Sequence, residues 1–264
     1  MTAGTQLESK FVTVHGRQVR YLEGGADGPP LVLIHGLTLH QPAQMWVPSF
    51  DELGDSFHLY AMDLYGWGMS EMPAEYSFRD WIDSVAGLVD ALQLETVDLM
   101  AYSFGSWIAA LYAAENPSRV RRLVSLHNPG LNAVISQFHP TENFDLPSRE
   151  EVRRRYPTAE LGDMVYDELV RPGRAEAHVE VLNYIGRPEI RQEWSLRPHL
   201  SSLTMPVLSA DRDTGFVKGT VEVAASVPTG HLLITPSEHD FEELVSAGKA
   251  FLTRPEIRGL GVMR

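Results

Sequence analysis

The stretch Val97-Asp98-Leu99-Met100-Ala101-Tyr102-Ser103-Phe104-Gly105-Ser106-Trp107-Ile108-Ala109 decides how the chain reads. Val97 to Ala101 is a short, mostly apolar run of the kind that forms a buried strand. From Phe104 to about Glu115 the apolar spacing (Ile108, Leu111, Tyr112) becomes that of a helix. One small polar residue, Ser103, stands at the junction, with Ala101 and Gly105 two positions to either side. A strand that turns straight into a helix strains the backbone of its corner residue, and only small neighbours permit the turn. The corner hydroxyl then sits at the carboxyl end of the strand and the amino terminus of the helix, where N–H groups and the helix dipole favour negative charge. This is the pattern of a nucleophile elbow, Gly-x-Ser-x-Gly, with Ala101 in place of the first glycine. The other reading is a strand–helix turn with an ordinary N-cap serine.

Working outward, strands and helices alternate. Phe11-Val12-Thr13-Val14 and Val19-Arg20-Tyr21-Leu22, around His15-Gly16, predict an opening hairpin. Leu31-Val32-Leu33-Ile34 is wholly apolar, as expected of a strand covered on both faces, and ends in His35-Gly36-Leu37. A helical pattern over 46–53 precedes the strand His58-Leu59-Tyr60-Ala61-Met62. That strand runs into the glycine-punctuated turn Asp63-Leu64-Tyr65-Gly66-Trp67-Gly68-Met69-Ser70. An amphipathic helix over 78–92 leads to the elbow strand, and Arg122-Leu123-Val124-Ser125-Leu126 is the next strand. From about 131 to 203 only charged helical stretches occur (148–156, 160–169 and 174–185), which predicts a helical cap over the sheet's carboxyl edge. The earlier rhythm returns with Pro206-Val207-Leu208-Ser209-Ala210, then Leu232-Leu233-Ile234 and a closing helix over 241–252. The pattern predicts an α/β fold with a parallel sheet, residues 1–130 and 204–264 forming the core and 131–203 the cap.

Composition narrows the function. The chain has 264 residues, 44% of them hydrophobic, enough for a large single core. Its 22 basic and 35 acidic side chains leave a net charge of −13, a surface that repels phosphate backbones and argues against a nucleic-acid partner. There is no cysteine, so disulfides and thiolate metal sites are excluded. Residues 1–10 lack an apolar signal core and no window nears 18 consecutive apolar residues, which predicts a cytoplasmic protein with no membrane partner. No H-E-x-x-H spacing, dinucleotide fingerprint or Walker loop appears, so neither a metal nor any other cofactor is expected. Assembly into a homo-oligomer stays open.

A serine hydroxyl attacks only when a base takes its proton and a third group holds that base. Ten histidines are present, so most are incidental. His239 lies after the last predicted strand and Asp213 after the one before; in a parallel sheet both loops fall at the elbow's edge. Asp211 is the competing acid; its other reading is a strand-end residue capping nearby N–H groups. Asp63, followed by glycines, reads as a structural turn, and His35 as a hydrogen-bonding prop for the loop it begins. His40 and His127 fall in loops near the expected pocket, with lining or surface roles. Trp46, Tyr65, Trp67, Tyr102, Phe104 and Trp107 read as pocket walls or as core.

These features together resemble the α/β-hydrolases along nearly the whole chain: His35-Gly36 after the third strand, Asp63-Leu64-x-Gly66-x-Gly68-x-Ser70 after the fourth, the elbow, and Asp213 followed by His239. The resemblance implies a mostly parallel sheet of about eight strands flanked by helices, with a helical cap insertion. It implies Ser103 as nucleophile, His239 as base and then acid, and Asp213 as orienting carboxylate. The backbone N–H groups of Leu37 and Phe104 would form the oxyanion hole, with His35, Gly36, His40, Tyr102, Trp107 and His127 around the substrate. The activity implied is hydrolysis of a small or medium carboxylic ester, lactone or related acyl compound through an acyl-enzyme.

Two other readings accompany it. Ser148-Arg149-Glu150-Glu151 through Met164-Val165-Tyr166-Asp167, and Asn128-Pro129-Gly130-Leu131, are similar to hydrolases that split carbon–carbon bonds in ring-cleavage products. Departures from that group are Leu37-Thr38-Leu39-His40 in place of a glycine-rich loop, Tyr102 for an asparagine and Phe241 for a tryptophan. The third reading is a repurposed site serving an acyltransferase, a cyclase or a ligand-binding protein. The cap arginines (Arg149, Arg153, Arg154, Arg155, Arg171, Arg174 and Arg187) are expected to pair with Glu150, Glu151 or Glu160 on solvated faces. Alternatively, one of them points inward to a substrate carboxylate.

Overall fold

The apolar runs become consecutive strands of one sheet in the computed structural model, which describes residues 7–37, 42–128, 148–154, 158–213, 217–236 and 241–254. In chain order the elements begin with β1 (Glu8–Val14), β2 (Arg17–Gly25), β3 (Pro30–Ile34), a 3₁₀ turn (Ala43–Ser49) running into α1 (Phe50–Leu53), and β4 (His58–Met62). There follow α2 (Phe78–Ala91), β5 (Val97–Tyr102), α3 (Phe104–Glu115) and β6 (Val120–Leu126). The inserted helices are α4 (Arg149–Arg153), α5 (Ala159–Leu169), α6 (Arg174–Gly186) and α7 (Pro188–Glu193). A 3₁₀ turn (Arg197–Ser202), β7 (Val207–Arg212), α8 (Val217–Ser226), β8 (Gly230–Thr235) and α9 (Phe241–Thr253) complete the described chain. None of the described helices is long and apolar enough to cross a membrane.

The strand order is β1-β2-β4-β3-β5-β6-β7-β8, with β2 antiparallel to both its neighbours and every pair from β4 to β8 parallel. The predicted hairpin is present: His15 and Gly16 both take positive φ (48° and 81°), the twist that a two-residue hairpin loop requires. Alternate side chains of the central strands feed two cores. Val32, Ile34, Leu99 and Ala101 meet α2 and α3 on one face, while Leu31, Leu33, Met100 and Val124 meet α1 and α9 on the other. The parallel strands therefore present their carboxyl ends at one edge, where β5 meets α3.

Two helices, α7 and α8, fall outside the predicted set. α7 is short and begins at Pro188. In α8 the β-branched Val217, Thr220, Val221 and Val223 with Gly219 read against a helix. Tertiary packing overrides that propensity: Val223 and Ala224 are buried, and a Cβ on Gly219 would lie 3.2 Å from the Asn128 carbonyl.

In the inserted region α6 joins the main core through Val181, Leu182 and Ile185, with Tyr184 packed on Phe78 and Trp81. α4 and α5 share a small cluster of Val152, Val165 and Leu169. Their arginines correct the expected pairing. Arg149 binds Asp163 and Asp167, and Arg153 binds Asp163, so the partners are aspartates of α5 rather than Glu150, Glu151 or Glu160. α5 is tied to the sheet by Glu168, both of whose carboxylate oxygens accept from Gln44 Nε2 (2.9 and 2.8 Å) and one of which lies 3.8 Å from the fully buried Arg20.

Candidate active site

Ser103 occupies the strand–helix corner with φ 51° and ψ −118°, a backbone strained for any residue with a β-carbon, and its side chain makes no capping bond. The elbow reading therefore prevails over an N-cap serine. Three contacts impose the strain. The Ser103 N–H donates to the Leu126 carbonyl (2.8 Å), holding the corner against β6. The Ser106 hydroxyl lies 2.6 Å from the Ala101 carbonyl and 2.9 Å from that of Leu126, tying the first turn of α3 back to both strands. Gly105 lets α3 approach β3 so closely that a Cβ there would lie 2.3 Å from the His35 carbonyl oxygen. Ala101 is fully buried, its methyl group accommodated beside Ile34 in the β3–β5 register.

The turn expected to supply the second oxyanion donor sits against the serine. A Cβ on Gly36 would lie 3.1 Å from that of Ser103. His35 fixes this turn. Its Nε2 accepts the Leu64 N–H (3.1 Å), so Nδ1 carries the ring proton and donates to the Gly36 carbonyl (2.7 Å). His35 is fully buried, hence a prop for the Gly36–Leu37 turn and not a pocket wall. Leu64 is held in turn by Asp63, whose oxygens accept the Ala43 and Met69 N–H groups and the Arg20 guanidinium, at 2.8, 2.9 and 3.0 Å. Asp63 is thus the structural turn residue it resembled, and Gly68 is required there because a Cβ would fall 2.0 Å from its carboxylate.

The acids divide sharply. Asp213 is exposed at the end of β7; its N–H donates to Thr235 (2.9 Å), and its carboxylate has no hydrogen-bond partner among the described residues. Asp211 is 2% exposed. Its Oδ1 accepts the Arg212 N–H and lies 2.8 Å from His127 Nδ1, while Oδ2 accepts the Thr220 hydroxyl at 2.8 Å. The N–H capping role foreseen for Asp211 is there, together with a histidine the sequence did not link to it. His239 and His40 lie outside the described residues.

Tyr102 stacks on His127 (centroids 5.9 Å apart) and meets Phe241 edge-on (5.2 Å). Burial pushes its hydroxyl above the usual phenol range, opposed by the hydrogen-bonded Arg212 guanidinium. Arg212 was not singled out from the sequence, since a strand-end arginine carries no motif. Trp107 is a correction: it is fully buried against Phe78 and Phe104, and its Nε1 donates to the Trp194 carbonyl (2.8 Å), so it belongs to the core. Trp46, Tyr65, Trp67 and Phe104 are likewise core. An open groove of about 650 Å³ lies where β1 and β2 meet α5, lined by Phe11, Met69, Glu71, Met164 and Arg171, one of the arginines weighed as a carboxylate clamp, and by no other expected site residue among the described residues.

A family model described as the alpha/beta hydrolase fold matches residues 29–176, more than half of the chain. The chain belongs to the α/β-hydrolase family. This α/β-hydrolase is 34% identical to 2-hydroxymuconate semialdehyde hydrolase of Pseudomonas sp. (strain CF600) over 66% of its own length and 64% of the relative's. It is 30% identical to 2-hydroxy-6-oxo-2,4-heptadienoate hydrolase of Pseudomonas putida over 70% of its length and 69% of the relative's. It thus spans less than two thirds of the first of these relatives. Among solved structures, 2-hydroxy-6-oxo-6-phenylhexa-2,4-dienoate hydrolase from Rhodococcus sp. strain RHA1 superposes with a TM-score of 0.75 at 17% identity, covering 94% of this chain and 98% of that one. At that identity the likeness concerns the fold.

Proposed function

We propose that this α/β-hydrolase uses Ser103 to hydrolyse the carbon–carbon bond beside the 6-oxo carbonyl of a 2-hydroxy-6-oxo-dienoate. The substrate class rests on the two Pseudomonas relatives, both named for such compounds and matched over about two thirds of the chain. In this reading Ser103 adds to the 6-oxo carbon, and the N–H groups of Phe104 and Leu37 receive the oxyanion. His239 takes the hydroxyl proton and later activates water. Asp213, tied to Thr235 before the loop that leads to His239, is its orienting carboxylate. Removing one oxyanion donor costs about 2.7–4 kcal/mol in a serine protease, which makes the His35-propped turn as consequential as the serine.

A carboxylic ester or lactone is the second reading. One observation favours it: Arg149 and Arg153, two of the cations that could clamp a keto acid's carboxylate, are engaged by Asp163 and Asp167. A panel of ring-cleavage dienoates and 4-nitrophenyl esters separates the two. The proposal expects kcat/KM for a dienoate to exceed that for every ester, and turnover of esters alone would refute it.

A further inference from the structure

The α4–α5 pair meets the body of the fold differently from α6. The described apolar side chains that α5 buries, Val165 and Leu169, cluster with Val152 of α4 and join neither of the two cores flanking the sheet. Between α5 and the β1–β2 hairpin lies the open groove, with Phe11 on one wall and Met164 on the other. A polar tie crosses there. The carboxylate of Glu168 lines the groove and takes its hydrogen bonds from Gln44 Nε2.

That tie ends where the candidate site begins. Gln44 is fully buried, and its neighbour Ala43 donates its N–H to Asp63 (2.8 Å). A second arm is electrostatic: Glu168 Oε1 lies 3.8 Å from Arg20 Nη2, while Arg20 Nη1 donates to the same Asp63 (3.0 Å). At 3.8 Å no hydrogen bond forms, and Nη2 makes none with any described residue. Were the ion pair to set the position of α5, the carboxylate would close on Nη2; it sits on Gln44 instead. From Asp63 the contacts run on without a gap. The Leu64 N–H donates to His35 Nε2 (3.1 Å), and His35 Nδ1 donates to the Gly36 carbonyl (2.7 Å). Glu168, Gln44, Arg20, Asp63 and His35 are all buried, so their bonds are little screened and a shift at one end is passed on by close packing.

We infer that Glu168 is a positioning residue for the reaction: its bond to Gln44 seats α5 and, through Asp63 and His35, holds the Gly36–Leu37 turn against Ser103. The inference rests on the proposed use of Ser103 and of that turn as oxyanion donor, and it holds for an ester as for a dienoate. Glu168 touches no reacting atom. Its removal loosens the turn, so chemistry slows for every acyl substrate, including one too small to reach α5.

The test is a double-mutant cycle in the full-length protein. Glu168→Ala, His35→Ala and the double variant are compared with the wild type in kcat on 4-nitrophenyl acetate and in the rate of fluorophosphonate labelling at Ser103. Each single substitution should slow both by about tenfold or more, with little change in KM. Because both release one turn, the double variant should fall about tenfold below the wild type rather than about 100-fold. Glu168→Gln should recover most of the rate. Its side-chain carbonyl accepts from Gln44 Nε2, and its amide N–H meets Gln44 Oε1, a buried acceptor with no hydrogen bond among the described residues. Where melting curves show Glu168→Ala unfolded, Gln44→Met cuts the same bond and takes its place in the cycle. Losses that multiply would show that Glu168 acts apart from the turn and overturn the inference, as would wild-type rates in the folded variant. A wild-type protein that fluorophosphonate leaves unlabelled would instead refute the use of Ser103, and the inference with it.

Discussion

Substituting Gly105 by alanine tests whether the approach of α3 to β3 builds the elbow. The added methyl carbon would lie 2.3 Å from the His35 carbonyl oxygen and 2.6 Å from that of Ile34, where ordinary contact begins near 3.4 Å. Both obstacles are backbone, so the amino end of α3 must retreat by on the order of 1 Å. Overpacking of this kind costs about 1–3 kcal/mol. In a chain of this size that lowers the melting temperature by roughly 2–12 °C. A shift of that order also displaces the Phe104 N–H and the Ser103 hydroxyl relative to the Gly36–Leu37 turn, which costs about 100-fold in rate. Differential scanning calorimetry and the rate of fluorophosphonate labelling read the two effects separately. Gly186→Ala, at the last residue of α6, is the control: a Cβ there meets nothing within 4 Å, so it should melt no lower than the wild type. If Gly105→Ala melts and labels like the wild type, the packing argument for the elbow is wrong.

Two further outcomes follow from the groups behind the site. Arg20→Met leaves the Asp63 carboxylate buried without its cation and should cost about 3–5 kcal/mol in urea unfolding, more than any surface arginine of α4. His35→Ala removes both the acceptor for the Leu64 N–H and the donor to the Gly36 carbonyl. It should lower kcat by at least tenfold with little change in KM, because the Gly36–Leu37 turn proposed to receive the oxyanion loosens; a pure KM effect in steady-state kinetics would contradict this.

The central fold was legible because the strands that carry it are short, apolar and separated by helical periodicity. Leu31 to Ile34 and Val97 to Ala101 read as buried strands and are fully or almost fully buried. Asp63 and its glycines read as a turn because glycine spacing reports backbone geometry directly, and Gly68 takes positive φ against that carboxylate. Partnerships between distant residues were not legible. Nothing local ties His127 to Asp211, 84 positions away, or Glu168 to Gln44, 124 positions away. The cap arginines were matched to nearby glutamates by helical spacing, whereas packing of α4 on α5 offered them aspartates of another helix. Trp107 sits one turn from Ser103 in sequence, yet its helical phase turns it into the α2–α3 interface.

The proposed chemistry begins with the hydroxyl of Ser103 acting as a nucleophile. Intact-protein mass spectrometry after treatment with a fluorophosphonate, followed by peptide mapping, addresses this directly. One adduct per chain on Ser103, absent from Ser103→Ala, is the predicted result. A folded wild-type protein that stays unmodified, or carries the adduct on another residue, would contradict it.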